Sequence, residues 1–266
     1  MPRTPITYLF VPGDRPERFE KALAAGADCV VIDLEDAVSA DSKQAARKNV
    51  VGAMRSARQQ VCLRINGADT GWFQEDLEVL SLPGVHSVMV PKAETPEVLG
   101  LVRNVASIPI IPIVETARGL ANAAALAGCP NVMRLAFGSV DFQVDLGIEG
   151  DDMELLFARS QLVLASRIAG LAPPVDGVTI EVRDLMRARA EAERARRLGF
   201  GGKLCIHPAQ LAPVREAFTP SAESVAWARG VLALAEGSRA GALTYEGKLV
   251  DKPVIDRARA IIARTE

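Results

Sequence analysis

Short apolar runs alternate with longer amphipathic segments along most of this chain. Continuous runs of Val, Ile and Leu are typical of strands buried on both faces of a parallel sheet. The segments between the runs place apolar residues at helical spacing, so each predicts a helix. The eight predicted strands lie at 8–12, 29–34, 61–66, 85–90, 109–115, 135–141, 175–178 and 203–206.

Eight strands, each followed by a helix at a spacing of about 25 residues, are typical of an α/β (β/α)₈ TIM barrel. The alternative is a doubly wound open sheet, but no Gly-x-Gly-x-x-Gly fingerprint follows the first strand. We therefore predict a TIM-barrel catalytic domain over residues 1–218. Residues 219–266 predict a C-terminal helical extension with a glycine-rich loop at Gly237, Gly241 and Gly247.

Two of the predicted strands each end in a single carboxylate, Glu115 and Asp141. In a TIM barrel the carboxyl ends of the strands form the active site. Mg²⁺ takes one or two protein carboxylates and leaves its other positions to water and substrate. The pair therefore predicts a magnesium site. The alternative is that Glu115 caps the helix beginning at Thr116 and that Asp141 pairs with an arginine.

Other polar residues follow the predicted strands at the same end of the barrel. They are Asp33, Glu35, Asp36, Arg64, Asn66, Lys92, Glu181 and His207. So many acids at close quarters need either a cation or pairing with Arg64 and Lys92. Arg64 itself is either a surface residue or a guanidinium fork for a substrate carboxylate.

Basic residues gather on the first two predicted helices. They are Arg15, Arg18, Lys21, Lys43, Arg47 and Lys48. Such a run is usually a solvated helix face, but adjacent helices could also present it to a phosphorylated ligand. His207 is either a proton carrier or a histidine held by backbone hydrogen bonds.

Composition narrows the class of protein. Of the 266 residues, 49% are hydrophobic and the net charge is −2, which argues against a general nucleic-acid surface. No apolar stretch approaches the roughly 20 residues of a membrane span. The four cysteines lack metal-ligand spacing, as expected of thiols in a reducing, cytoplasmic setting. Without a Ser-His-Asp set, an HExxH motif or a P-loop, metal-assisted chemistry is favoured over covalent catalysis.

Seven motifs together are similar to the citrate lyase β-subunit-like family, within the HpcH/HpaI aldolase and citrate lyase superfamily that includes malyl-CoA and citramalyl-CoA lyases. The motifs are Tyr-Leu-Phe-Val-Pro-Gly at 8–13, Asp-Leu-Glu-Asp-Ala-Val at 33–38, Arg-Ile-Asn-Gly at 64–67, Pro-Lys-Ala-Glu at 91–94, Ile-Val-Glu-Thr-Ala at 113–117, Phe-Gly-Ser-Val-Asp-Phe at 137–142 and Ile-His-Pro-Ala-Gln at 206–210.

The resemblance implies an Mg²⁺-dependent carbon–carbon lyase. Such an enzyme cleaves or forms a 3-hydroxyacyl thioester of the citryl-, malyl- or citramalyl-CoA type, with an acyl-CoA and an α-keto acid as the other partners. Glu115 and Asp141 match the metal ligands, Arg64 matches the substrate-carboxylate residue, and Asp36 resembles an acid close to the metal.

The resemblance also assigns the thioester carrier and the proton. Lys21, Lys43 and Arg47 match positions that meet CoA phosphates, and Ile206 and His207 lie on the path of the carrier. Asp251 resembles a general acid/base that a neighbouring subunit supplies, so a homotrimer or hexamer is expected. The resemblance alone assigns these roles, which residue spacing does not show.

Three alternatives stay open at this point. The chain could be the β subunit of a citrate lyase complex that acts on citryl-acyl carrier protein. It could be a class II aldolase that acts on free keto acids without CoA. It could also be a barrel that binds metal-chelated keto acids without catalysis.

Overall fold

A closed parallel barrel of eight strands forms the first of two compact units, residues 1–215 and 216–266. The computed structural model describes residues 4–55, 60–236 and 243–265. The strands are β1 (Thr7–Pro12), β2 (Cys29–Asp33), β3 (Val61–Arg64), β4 (Val85–Val90), β5 (Ile110–Val114), β6 (Ala136–Phe137), β7 (Val175–Asp176) and β8 (Gly202–Cys205). They pair in chain order, and β8 pairs back onto β1. The predicted TIM barrel is confirmed, and the open sheet is wrong.

Helices follow the strands around the barrel. They are α1 (Phe19–Ala24), α2 (Lys43–Met54), α3 (Phe73–Leu77), α4 (Pro96–Val105), α5 (Ala117–Ala121), α6 (Ala123–Ala127), α7 (Ser139–Leu146), α8 (Leu156–Ile168), α9 (Leu185–Leu198) and α10 (Leu211–Phe218). Thr95 precedes α4 with Pro96 at its first position, as the sequence predicts.

The interior of the barrel is apolar because alternate side chains of each strand point inward. This core contains Tyr8, Val31, Cys62, Met89, Ile111, Ile113, Ala136, Val175 and Leu204. The next inward positions toward the carboxyl ends belong to the motifs picked out in the sequence. The alternation that packs the core therefore also delivers polar side chains to the mouth.

The predicted sixth strand is too long. It ends at Phe137, Gly138 stands before α7, and Asp141 lies in the first turn of that helix instead of at a strand end. The segment between β5 and β6 forms two helices, α5 and α6, which meet at Asn122. The Asn122 amide donates to the Glu94 carbonyl oxygen at 2.7 Å, and this bond holds the break in place.

The first two helices have no side-chain cap. Arg15 precedes the 3₁₀ turn before α1, Ser39 precedes the 3₁₀ turn before α2, and Ser42 precedes α2 itself. Elsewhere in the barrel Thr116 accepts from the Gly119 N–H and Asp184 accepts from the Arg187 N–H. Thr116 and not Glu115 therefore caps α5, so the alternative of a Glu115 cap is wrong.

A buried arginine closes the amino-terminal end of the barrel. Arg134 is fully buried, and its Nη1 donates to the Pro5 carbonyl oxygen at 2.7 Å and to the Tyr8 hydroxyl at 3.2 Å. Its Nε and Nη2 donate to the carbonyl oxygens of Pro173 and Pro174. One guanidinium thus joins the start of the chain's first strand to the segment before β7.

Replacing Arg134 with methionine should lower the free energy of unfolding by about 2 to 3 kcal/mol, because buried carbonyl groups lose their donors. Urea denaturation of Arg134→Met against the wild type measures the change. Equal midpoints would show that the guanidinium contributes nothing to stability.

The second unit has its own small core. Helix α11 (Ala222–Glu236) and helix α12 (Lys252–Ile262) pack together, beside a hairpin of β9 (Leu243–Tyr245) and β10 (Lys248–Val250). Gly247 makes the hairpin turn with a φ of 73°, whereas Gly237 and Gly241 lie outside the described residues. The compact units divide three residues before the predicted 218/219 domain boundary, which stays a prediction.

Within the described residues, no helix combines the length and apolarity that crossing a bilayer requires.

Candidate active site

A cavity of about 410 Å³ opens at the carboxyl ends of the strands. Its charged lining residues are Asp33, Asp36, Arg64, Glu115 and Asp141. The rest of the wall is mostly apolar and includes Phe10, Ile113, Phe137, Val140, Val178, Ile180, Leu204 and Ile206. The structure therefore brings both predicted metal ligands and Arg64 into one cavity.

The backbone fixes the position of Glu115 at the end of β5. The side chain is 2% exposed, and its Oε1 accepts the Lys92 N–H at 2.6 Å. A Cβ at Gly138 would collide with the Glu115 carboxylate, so only glycine fits there. Lys92 has a φ of 45°, a left-handed conformation that is strained for a side chain of this kind. In this backbone conformation the Lys92 N–H points at the Glu115 carboxylate.

Asp141 faces the same cavity from α7 and is half-buried. Burial and the Asp141 carboxylate together raise the pKa of Glu115 to about 7. Burial and the Asp36 carboxylate raise the pKa of Asp141. Both shifts mean that the two charges are poorly compensated by the protein alone.

A hard divalent cation fits this donor set. Two oxygen-bearing side chains with uncompensated charge are the part of an Mg²⁺ site that a protein usually supplies. No cluster of three or more His, Cys, Asp or Glu side chains suited to a metal occurs within 4–55, 60–236 and 243–265. The chemistry of the pair thus favours a magnesium ion that keeps several positions for water and substrate.

Arg64 lies at the end of β3, and most of its fork is already used within the protein. Its Nε and Nη2 donate to the two carboxylate oxygens of Asp33, at 2.7 and 2.6 Å. Its Nη1 lies 2.9 Å from Glu35 Oε2 and 3.3 Å from Asp36 Oδ2. The guanidinium also stacks 4.9 Å from the centre of the Phe10 ring. A substrate carboxylate would meet the remaining N–H groups and not a free fork.

Asp33 is the residue whose importance sequence reasoning missed. It is fully buried and also accepts the N–H groups of Glu35 and Ala37, at 2.9 and 3.0 Å. Asp33 therefore holds both the Arg64 guanidinium and the loop that carries Glu35 and Asp36. Its place as the last residue of an apolar strand was the available signal, but its partner lies 31 residues away.

Glu35 is the most perturbed acid at the mouth. Burial raises its pKa to about 8, with Asp36, Glu115 and Asp33 acting in the same direction against Arg64. Its Oε2 approaches Arg64 without hydrogen-bond geometry and has no hydrogen-bond partner among the described residues. When Glu35 is protonated, Asp33 and Asp36 are the remaining charged carboxylates within ion-pair distance of Arg64.

This gives a pH-dependent stability. The folded protein holds a proton on Glu35 up to about pH 8, whereas the unfolded chain releases it near 4.5. The folded state thus binds more protons between these values, and its stability falls as the pH rises through them. The Glu35→Gln variant should lack this loss, so its advantage over the wild type should grow from pH 5 to pH 8. Urea unfolding of both proteins across that range tests this, and parallel curves would contradict it.

Two of the three lysine and arginine residues predicted to meet CoA phosphates are used internally. Lys43 is buried, donates to the carbonyl oxygens of Leu34 and Glu35 at 2.8 and 2.7 Å, and lies over the Trp72 ring. Arg47 is also buried and pairs with Asp76, at 3.0 Å, and with Glu75. Lys43 thus stabilises the loop after β2, and Arg47 stabilises α3.

The other predicted carrier residues are accessible. Lys21 is exposed on α1, and Ile206 lines the cavity. His207 is exposed, and its Nδ1 accepts the Ala209 N–H at 3.2 Å, which begins a short 3₁₀ turn. Of the two alternatives for His207, the structure places it in a backbone hydrogen bond. Glu181 pairs with Arg187 at 2.7 Å in the loop after β7.

Asp251 belongs to the second unit. It is the N-cap of α12, and its Oδ1 accepts the Val254 N–H at 3.3 Å. The side chain is partly exposed, so the capping bond does not bury the carboxylate. Its predicted catalytic role stays a prediction.

Comparisons with known proteins agree with the motifs. Residues 7–208 match the model of the family described as HpcH/HpaI aldolase/citrate lyase. A citrate lyase subunit beta-like protein of Deinococcus radiodurans is 38% identical over 97% of this chain and 96% of its own length. An L-malyl-CoA/beta-methylmalyl-CoA lyase of Cereibacter sphaeroides is 34% identical over 97% and 93%.

A solved relative has the same fold over its whole length. The CitE protein of Mycobacterium tuberculosis, in complex with magnesium, acetoacetate and coenzyme A, is 36% identical, with a TM-score of 0.86 and 99% of both chains covered. The family resemblance predicted from the motifs is thereby confirmed. With its barrel, the two carboxylates that share one cavity and its full-length relatives, this chain belongs to the HpcH/HpaI aldolase/citrate lyase family.

Proposed function

We propose that this protein is an Mg²⁺-dependent carbon–carbon lyase that cleaves or forms a 3-hydroxyacyl-CoA, with an acyl-CoA and an α-keto acid as the other partners. The observation that carries the proposal is the buried Glu115 carboxylate, which faces Asp141 in the same cavity as Arg64. The lyases among the relatives and the CoA-bound structure support the same reaction class.

Glu115 and Asp141 would hold the magnesium ion. Bound there, Mg²⁺ supplies Lewis acidity and a template for the keto-acid end of the substrate. The backbone bond from Lys92 and the close approach of Gly138 keep Glu115 from rotating away. The site is thus preorganised before the ligand enters.

Arg64 would orient the substrate carboxylate through the N–H groups that Asp33 leaves open. Asp33 locks the plane of the guanidinium, and this fixes the direction from which a carboxylate can approach. Asp36, exposed at the rim of the cavity, would help to place the hydroxyl group.

In the cleavage direction a base takes the proton of the 3-hydroxyl, and the adjacent carbon–carbon bond breaks. The hydroxyl carbon becomes the carbonyl of the keto acid, and the bonding electron pair passes to the α carbon of the thioester. A proton must then reach that carbon. Asp251 of a neighbouring subunit is our candidate for this general acid, and the partial exposure of its carboxylate is compatible with the role.

The CoA moiety would enter along the apolar wall that includes Ile206, with His207 next to it and Lys21 as the candidate phosphate contact. Lys43 and Arg47 would act indirectly, because their charged groups already have partners. We also propose a homotrimer or hexamer and a cytoplasmic location, which gel filtration and cell fractionation would test.

The experiment is a screen of malyl-, citramalyl- and citryl-CoA with the purified protein, in which release of keto acid is measured with Mg²⁺ and after addition of EDTA. We expect cleavage of at least one thioester that stops when the metal is removed. Activity only on a citryl-acyl carrier protein would favour the lyase-complex subunit. Release from a free hydroxy keto acid without CoA would favour the aldolase. Turnover that persists in EDTA would overturn the metal assignment.

A further inference from the structure

Two loops supply part of the apolar wall of the cavity. The loop after β7 contributes Val178 and Ile180, and the loop after β8 contributes Ile206. Ile180 is 58% exposed and Ile206 is 39% exposed. Side chains that are this exposed cannot fix their own loops by packing, so the loops must be held by other contacts.

Gln210 bonds to both loops at once. Its side chain is 1% exposed, Oε1 accepts the Ile206 N–H at 3.0 Å, and Nε2 donates to the Thr179 carbonyl oxygen at 2.9 Å. The amide of glutamine offers donors and an acceptor on one terminal group without carrying a charge, so it can bond to both loops while buried. Gln210 is the last residue of the Ile-His-Pro-Ala-Gln motif, and the proposed chemistry gives it no role.

The loop after β7 is anchored from its other side too. Thr179 Oγ1 donates to Glu191 Oε2 at 2.5 Å, and Glu191 also pairs with Lys203 at 3.2 Å. Lys203 Nζ in turn donates to the Gly177 carbonyl oxygen at 2.8 Å. Gly177 packs so closely on Ser139 that a Cβ would collide with it. The backbone on both sides of Val178 is therefore held in place.

We infer that Gln210 is a positioning residue: it sets the spacing between Ile180 and Ile206, and with it the width of the apolar wall that receives the thioester end of the substrate. This inference rests on the proposed function. Gln210 is absent from the cavity lining, so it acts through the two loops and not on the substrate. The proposed metal ligands lie elsewhere, Glu115 after β5 and Asp141 on α7, whereas the side-chain bonds of Gln210 go to Ile206 and Thr179.

The test compares Gln210→Glu with Gln210→Met. Methionine removes both bonds. Glutamate keeps the acceptor for the Ile206 N–H, and only when it is ionised does it place an oxygen without a proton against the Thr179 carbonyl, so it is assayed at alkaline pH. We expect both variants to raise KM for the thioester by about 10-fold with kcat little changed, since small displacements of a binding wall cost about this much or more. The increase in melting temperature caused by Mg²⁺ with pyruvate should equal that of the wild type.

Arg134→Met is the matched control, because it loses buried hydrogen bonds at the opposite end of the barrel. It should be destabilised while keeping the wild-type KM. A wild-type KM in Gln210→Met, or the same rise in KM in Arg134→Met, would overturn the inference.

Hydrogen exchange separates this inference from the proposed function. Gln210→Glu should speed amide exchange across 177–180 and at Ile206 together, while Arg134→Met should not. If the wild type cleaves no thioester, the proposed function fails, and the exchange data together with CoA-dependent thermal shifts still decide on the positioning role. Unchanged exchange in both loops would overturn it.

Discussion

Replacing Glu115 with glutamine should lower kcat/KM for the Mg²⁺-dependent reaction by about 10³-fold or more, which is the scale seen when a preorganised electrostatic group is lost. Glutamine has nearly the same shape and can keep the contact with the Lys92 N–H through its carbonyl oxygen. What it lacks is the charge. The steady-state rate at saturating Mg²⁺ is the measurement.

The same substitution should not weaken the fold. Burial and Asp141 make the Glu115 carboxylate unfavourable in the metal-free protein, with a pKa of about 7. A neutral side chain should therefore give a melting temperature in EDTA that is equal to or above that of the wild type. Glu149→Gln, at an exposed position, is the control for the substitution itself. Wild-type turnover in Glu115→Gln would mean that Glu115 is not a metal ligand.

Replacing Arg64 with methionine should abolish activity and also lower the free energy of unfolding by about 3 to 5 kcal/mol. The large loss follows from what the arginine leaves behind. Asp33 is fully buried and gives up two charge-assisted bonds, and Glu35 loses the cation that lies 2.9 Å from its carboxylate. Urea denaturation and a turnover assay measure the two effects.

A double variant shows whether the loss comes from the orphaned Asp33. Arg64→Met with Asp33→Asn removes both members of the pair, so part of the stability should return while activity stays absent. A double variant no more stable than Arg64→Met alone would show that the penalty has another origin.

Much of the barrel can be predicted from the local pattern of apolar residues. The apolar runs that predict buried strands need no distant partner to be recognised, and Glu115 follows directly from the end of such a run. Asp141 shows the limit, because a two-residue strand followed by Gly138 cannot be told from a longer strand by periodicity. The residue reaches the predicted cavity from a helix instead of a strand.

The roles of the charged residues depend on partners far along the chain. Arg47 is a surface cation by pattern, yet Asp76, 29 residues away, draws it into a buried pair. Lys43 is similar, because the carbonyl oxygens it caps belong to the loop after β2. Which charges are free to meet a ligand is therefore decided by tertiary structure, and spacing alone could not show it.

The arginine that closes the amino-terminal end has an effect at the opposite end. Arg134 places a positive charge in the floor of the barrel and balances it only with neutral groups, while acids outnumber bases at the mouth. The barrel is therefore polarised along its axis, and its low-dielectric wall directs the field lines out through the opening. A field of this sign concentrates cations at the entrance, so capture of the metal ion should be fast and should slow as the ionic strength rises.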